Sequence, residues 1–275
     1  MKTSPHWIVD EYMLEVSERK EEIVAYLEKQ GNYTITPFTR IHKIDIPDDF
    51  SIGSPFKCGI IYGSIQFVNK CLEQSCLYPG SYYSATGYQL QNYLSSYEPH
   101  YFLNRHGFFV PFRWMFGKFS YYQSLLGERI FIRPNSGKKL FTGQVVESID
   151  DLNMLYKTSS VVDNTLVYIS GAKELSHEFR YIIVDGKVVG HSQYHVNGEI
   201  SITEDDNTEC RALAQSLADD TDEFNNTFVC DVGLCDGLPF VIELNCINTS
   251  GWYLANVSDI MNALNEKLIK EFEER

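Results

Sequence analysis

The chain has 275 residues at 31.6 kDa, 44% of them apolar and 22% charged, which excludes a disordered chain and leaves room for one large or two modest domains. Thirty-seven acids against 23 bases give a net charge of −14, which argues against a protein whose main task is gripping nucleic-acid phosphates. The charge is uneven: residues 201–275 hold 16 acids and 4 bases, whereas residues 101–142 hold 7 bases (Arg105, Arg113, Lys118, Arg129, Arg133, Lys138, Lys139) and one acid, Glu128.

From the N-terminus, no apolar segment has the length of a signal peptide core or of a membrane span, so a cytoplasmic protein without a membrane partner is expected. Tyr12, Met13, Val16, Ile23 and Leu27 fall at helical spacing, and Gly31 follows as a stop, which predicts an amphipathic helix over residues 8–30. Strands are expected at Thr39–Ile46, closed by Pro47, and at Cys58–Tyr62 ahead of Gly63-Ser64. From Leu77 to Tyr122 aromatics and glycines crowd together without a long helical period, so a loop-rich region with short elements is expected. Tyr82, Tyr83, Tyr88, Phe108, Phe109 and Trp114 in this stretch could line a cleft or fill a core.

The second half is more regular. Arg129–Arg133 reads as a strand stopped by Pro134, and Ser148-Ile-Asp-Asp151 has the form of a helix cap before Leu152–Lys157. Leu166–Ile169 is a short strand, and Glu178–Val184 with Lys187–His195 makes a hairpin turning at Asp185-Gly186. A helix over Glu209–Leu217 precedes a second hairpin, Phe228–Leu234 with Pro239–Asn245, turning at Asp236-Gly237. Leu254, Val257, Met261, Leu264 and Leu268 mark a final helix. This order predicts an α+β fold, with neither βαβ repetition nor internal repeats.

Three constellations carry chemistry. On the last hairpin strand Glu243 and Asn245 are two residues apart and leave the same face, and oxygen donors on a rigid sheet suit Mg²⁺. Asp231 joins them only in one register. A two-residue Asp236-Gly237 turn pairs Asp231 with Ile242, whereas a three-residue loop including Leu238, with a bulge, sets Asp231 opposite Glu243, so a metal site predicts the longer loop. The second constellation is Arg133-Pro-Asn-Ser-Gly-Lys-Lys139, a strand end and basic loop able to grip phosphate, although no Walker motif is present. The third is Glu178-Phe-Arg180, whose charged side chains share a strand face and could simply form a cross-strand ion pair.

Other chemistries find little support. The seven cysteines lack zinc-knuckle spacing and are expected to be reduced and buried. His191 and His195 fall in a strand, where a spacing of four does not make a metal pair, and no G-x-S-x-G elbow occurs.

In order, I-F-I-R-P with a basic loop, H-E-F-R-Y-I-I-V-D-G, and C-D-V-G followed by F-V-I-E-L-N resemble the ATP-grasp superfamily, and more narrowly its R2K clade, over roughly residues 105–270. The resemblance implies an ATP-grasp fold, two α+β lobes clasping ATP, over 105–275, with a small pre-ATP-grasp-like domain over 1–104. It implies Mg²⁺ ligands at Asp231, Glu243 and Asn245, phosphate contacts at Arg133 and Lys139, and a catalytic, nucleotide-binding role for Arg180, the arginine of the E-x-R strand. It further implies adenine contacts along Val167–Glu174, including Val167, Ile169 and Glu174, and nucleotide contacts from Glu178 and Asn248. One departure is that the strand before the phosphate loop usually ends in lysine, where this chain has Arg133, a change the clade shares. The activity implied is an ATP-dependent carboxylate–amine ligase acting through an acyl phosphate on small-molecule or peptide substrates. The alternatives are a phosphotransferase at the same site and a nucleotide-binding module without catalysis.

Overall fold

Trp7, Ile8 and Val9 form an unbroken apolar run, the pattern of a strand covered on both faces. In the computed structural model, which describes residues 3–37, 44, 46–220 and 226–275, they form β1 (His6–Asp10), buried throughout. Trp7 and Val9 face one core and Ile8 the other. Then come α1 (Glu11–Glu15), α2 (Lys20–Gln30), β2 (Tyr33–Thr36), β3 (Lys57–Tyr62), α3 (Ile65–Leu72) and β4 (Leu77–Gly80). The four strands make a sheet of order β2-β1-β3-β4 in which every pairing is parallel.

This corrects two expectations. The helix read over 8–30 is a strand and two helices, because the run Trp7–Val9 needs cover on both faces and a surface helix offers only one. The chain does contain βαβ units, built from helices too short to give a clear period. Gly31 closes α2 as expected, at φ 79°, with its N–H donating to the Leu27 carbonyl. The strand expected at Thr39–Ile46 lies outside the described residues except for Ile44 and Ile46, both buried.

His6 is buried at the start of β1 with Nε2 2.9 Å from the Thr34 hydroxyl, and desolvation lowers its pKa to about 4. The folded state therefore resists protonating this ring, so its stabilising effect is complete above about 6.5 and is lost as pH falls through about 4. Urea midpoints measured across that window should fall with acidification, and His6→Gln should flatten the slope.

The middle of the chain contributes α4 (Leu90–Ser96), β5 (Gly107–Pro111), α5 (Phe112–Leu126), β6 (Ile130–Pro134), β7 (Gln144–Val146), α6 (Ile149–Thr158) and β8 (Leu166–Gly171). The strands form an antiparallel sheet of order β5-β8-β6-β7. The region expected to be loop-rich thus holds a 15-residue helix, α5, kinked at Lys118 just after Gly117. Its buried residues Phe112, Met115, Phe119 and Tyr122 do keep helical spacing, but Trp114, Phe116 and Tyr121 on its other faces mask the period. Helix α6 starts with a full capping box between Ser148 and Asp151. Ser148→Ala should cost about 1 kcal/mol, read as a lower urea midpoint.

The rest of the chain forms β9 (His177–Val184), β10 (Lys187–Val196), β11 (Glu199–Thr203), α7 (Thr208–Asp219), β12 (Phe228–Cys235), β13 (Leu238–Asn245) and α8 (Val257–Glu273). The five strands make an antiparallel sheet of order β11-β10-β9-β12-β13. Helix α8 is covered on two sides: Ile260, Met261, Leu264 and Leu268 share one core with Trp7, Ile60 and Tyr62 of the N-terminal sheet and with Ile182 and Val229 of the large sheet. The α+β architecture is that expected, with a small parallel sheet added to it. Among the described residues no helix is long and apolar enough to cross a membrane.

The β12–β13 turn corrects a detail. It is the two-residue Asp236-Gly237 turn, with positive φ at both residues and Cys235 paired to Leu238. The longer loop is absent, yet Asp231 still pairs with Glu243, because the ladder shifts between Asp231 and Val232 and leaves Ile242 as the extra residue of a bulge. The register expected of a metal site thus arises within the strand.

Candidate functional site

Arg180 on β9 pairs with Asp231 on β12, which pairs with Glu243 on β13, so the three lie in a row across adjacent strands. Arg180 grips Asp231 through two bonds, Nε to Oδ1 and NH2 to Oδ2, both 2.8 Å. Asn245 bridges the two carboxylates, its Nδ2 donating to Asp231 Oδ2 at 3.1 Å and to Glu243 Oε1 at 2.8 Å. Glu243 also accepts from Arg133 NH2 at 2.9 Å. Arg133 comes from β6 in the other sheet, so this ion pair spans the cleft between the sheets. The carbonyl of the bulged Ile242 accepts from Arg133 NH1 at 3.4 Å.

The electrostatics follow from burial opposed by cations. Burial alone would raise the Glu243 carboxyl, but Arg133, Lys139, the Asn245 hydrogen bond and Arg180 together hold it down at about 2. Burial likewise raises the Asp231 carboxyl, and the Arg180 fork opposes that rise. Since guanidinium keeps its charge in proteins and the Glu243 carboxyl is held low, Arg133 and Glu243 are an ion pair at neutral pH. No cysteine is activated here: burial pushes the Cys246 thiol up to about 12.

A cavity of about 230 Å³ opens against this row. Arg133, Lys139, Glu243 and Asn245 line it, and so do the aromatic rings of Tyr83, Tyr88, Phe131 and Phe141. The basic loop after β6 is held tightly. The Asn135 amide donates to the Leu166 carbonyl at 3.0 Å, its side chain accepts from Gln91 N at 2.9 Å, and the Tyr83 hydroxyl donates to the Gly137 carbonyl at 3.3 Å. A side chain at Gly143 would strike the Phe131 ring at 2.7 Å. Lys139 has φ 49° and also lines a wider cavity of about 870 Å³, together with Thr249, Ser64 and Gln66. Lys139 and Thr249 thus form a wall common to both cavities.

The remaining sequence-derived candidates lie elsewhere. Val167 and Ile169 are fully buried in the core of β8, whose backbone is paired on both sides with β5 and β6, so neither their side chains nor their ladder groups are open to a base. Glu174 is exposed and paired with Arg129. Glu178 does not pair with Arg180; it accepts from the Tyr194 hydroxyl at 2.8 Å and lies 3.4 Å from His195 Nδ1. Asn248 turns away from the cavity, its amide donating to the Ile61 carbonyl at 2.6 Å and accepting from Tyr82 N at 2.9 Å, which ties the N-terminal sheet to the segment after β13. Of the six aromatics singled out above, Tyr83 and Tyr88 line the cavity, Tyr82 is core, and Phe108, Phe109 and Trp114 are exposed. Phe131, Phe141 and Thr249 were not anticipated, although Phe131 and Phe141 flank the basic loop and that position was a usable signal.

Among the described residues, no three His, Cys, Asp or Glu side chains converge on a metal-sized site. A cation here would have two carboxylates and an amide, an all-oxygen set that fits a hard ion completed by phosphate oxygens rather than a site built by protein alone.

The family model described as "ATP-grasp domain, R2K clade family 2" matches residues 117–263. The chain is an ATP-grasp protein of the R2K clade. No curated protein matches this R2K-clade chain. Solved structures do share its fold. A D-alanine–D-alanine ligase from Bacillus anthracis is similar at 15% identity and TM-score 0.59, covering 99% of this chain and 97% of its own. The D-cycloserine synthetase DcsG is similar at 12% identity and TM-score 0.64, covering 96% and 99%. The ATP-grasp ligase PsnB, solved with a minimal precursor, is similar at 11% identity and TM-score 0.58, covering 98% and 100%. The region matched by the family model contains Arg133, Lys139, Arg180, Asp231, Glu243 and Asn245.

Proposed function

We propose that this R2K-clade protein is an ATP-dependent carboxylate–amine ligase that works through an acyl phosphate, with residues 105–275 as its ATP-grasp domain and 1–104 as a smaller domain completing the cleft. The observation that carries the reading is the reach of Arg133 from β6 across the cleft to Glu243, which brings the cationic and anionic halves of the site to one cavity. Asp231, Glu243 and Asn245 would hold Mg²⁺, which when bound would neutralise the β- and γ-phosphates. Arg133 and Lys139 stabilise charge on the phosphoryl group in transfer. Tyr83, Tyr88, Phe131 and Phe141 exclude water, which protects an acyl phosphate from hydrolysis.

The acid binds in the wider cavity beyond Lys139 and Thr249. One of its carboxylate oxygens attacks the γ-phosphorus and ADP leaves. The amine nitrogen then attacks the acyl carbon, phosphate leaves, and the amine gives up a proton. The three similar structures named above are ligases or a synthetase, which supports the reaction class and leaves the substrates open.

The test is incubation with ATP, Mg²⁺ and pools of amino acids and peptides, reading ADP release and product mass. A ligase gives ADP and an amide product only when acid and amine are both present. A stable phosphorylated product without an amine requirement would show a phosphotransferase instead. Nucleotide binding without ADP release for any pair would leave a binding module.

A further inference from the structure

Two arginines face the carboxylates of this site, and they are held very differently. Arg133 makes one ion pair and one long bond to a carbonyl, lies beside the buried Tyr93 hydroxyl, and lines the cavity. Arg180 does not line the cavity, and its side chain is 9% exposed. Its Nε and NH2 form the fork on Asp231, and its NH1 donates to the Gly251 carbonyl at 3.0 Å, in the segment after β13. The guanidinium also lies 4.8 Å from the Tyr253 ring and 5.7 Å from the Tyr194 ring, which stack on each other at 5.3 Å. Tyr253 reaches this position at φ 50°, a conformation that costs an aromatic residue free energy and is kept only where surrounding contacts impose it. Glu178 holds the Tyr194 hydroxyl in turn.

We propose that Arg180 is a positioning residue: it fixes Asp231 and the Gly251–Tyr253 segment, and it acts on the nucleotide only through Asp231, whereas Arg133 is the arginine released to the phosphates. This rests on the nucleotide reading above. For Arg180 to meet a phosphate it would have to break three hydrogen bonds and leave two rings, while Arg133 needs only to exchange one carboxylate for another anion. Bidentate geometry also matters here, because a fork fixes both oxygens of Asp231 and a lysine ammonium cannot. Asp231 Oδ2 also accepts from Asn245, but Oδ1 accepts from Arg180 Nε and keeps lone-pair capacity, so the clamp orients the carboxylate for a cation without closing it.

The experiment is calorimetric titration of ADP, once with Mg²⁺ and once with EDTA, into the wild type, Arg133→Gln, Arg180→Gln, Arg180→Lys, Asp231→Asn and the double variant Asp231→Asn/Arg180→Gln. Arg180→Gln is expected to weaken Mg²⁺-dependent binding about tenfold or more and to leave the EDTA value within about twofold. Arg180→Lys does not restore it. Arg133→Gln weakens binding in both conditions. In the Asp231→Asn background the Arg180 change has no further effect, and since that double variant removes both buried charges together it stays folded if Arg180→Gln alone does not. The proposal is overturned if Arg180→Gln weakens metal-free ADP as much as Arg133→Gln does, or keeps the full Mg²⁺ response. It is also overturned if the double variant binds metal-free ADP more weakly than Asp231→Asn. A wild type that binds no nucleotide defeats the nucleotide reading as well, whereas any of the other outcomes defeats only the role of Arg180.

Discussion

Glu243→Gln should lower ATP turnover by at least about 100-fold while the protein stays folded. The amide keeps the volume of the side chain and removes the charge that would face Mg²⁺. It also leaves Arg133 a weaker acceptor, at a cost to stability of about 1–2 kcal/mol. Metal-free ADP binding should move the other way and tighten, because a carboxylate facing phosphate repels it unless a cation lies between them. Calorimetry with and without Mg²⁺ separates these effects, and looser ADP binding in EDTA would refute the assignment. The pH dependence has a definite sign. Glu243 is held at about 2 against an ordinary value near 4.5, so its stabilising contribution is complete above about 4.5 and is lost as pH falls through about 2. An acid limb of activity near neutrality would therefore belong to another group.

Trp252→Ala should destabilise the protein by about 3–5 kcal/mol. The indole is 1% exposed and packs on the Tyr62 ring at 4.8 Å, in the core shared by the N-terminal sheet, the large sheet and α8. Nearby, the Tyr62 hydroxyl donates to the Ser250 carbonyl at 3.1 Å, and Gly63 N donates to the Asn248 carbonyl at 2.9 Å. The segment after β13 is therefore anchored by the N-terminal sheet, and weaker nucleotide binding should accompany the loss of stability. A urea transition combined with ADP titration tests both. A variant with wild-type midpoint would show that this junction does not hold the two parts together.

Much of the second half was legible because its signals are local. Ser148 and Asp151 make a cap from neighbouring residues, and the Asp-Gly pairs set both hairpin turns. The N-terminal third was legible only in part: the strand at Cys58–Tyr62 and the stop at Gly31 were, and β1 was not. Trp7–Val9 follows no amphipathic period, since as part of a parallel sheet it is covered on both faces, and that cover arrives from distant chain, including α8. Helix α5 was hidden for a different reason: apolar residues on its exposed faces obscured the buried stripe.

At the site the division is similar. Sequence alone placed Glu243 and Asn245 on one strand face, because a strand alternates with period two, and it placed Arg133 at the end of a strand before a basic loop. It could not decide how Asp231 meets Glu243. The turn chemistry pointed to one register, and a bulge at Ile242, a matter of ladder geometry rather than residue type, restored the other. Nor could it distinguish the two arginines. Residue type makes both of them phosphate binders, and only the tertiary structure closes Arg180 onto Asp231, Gly251 and two tyrosines while leaving Arg133 at the cavity, because what a guanidinium is free to do depends on which acceptors the fold brings within reach.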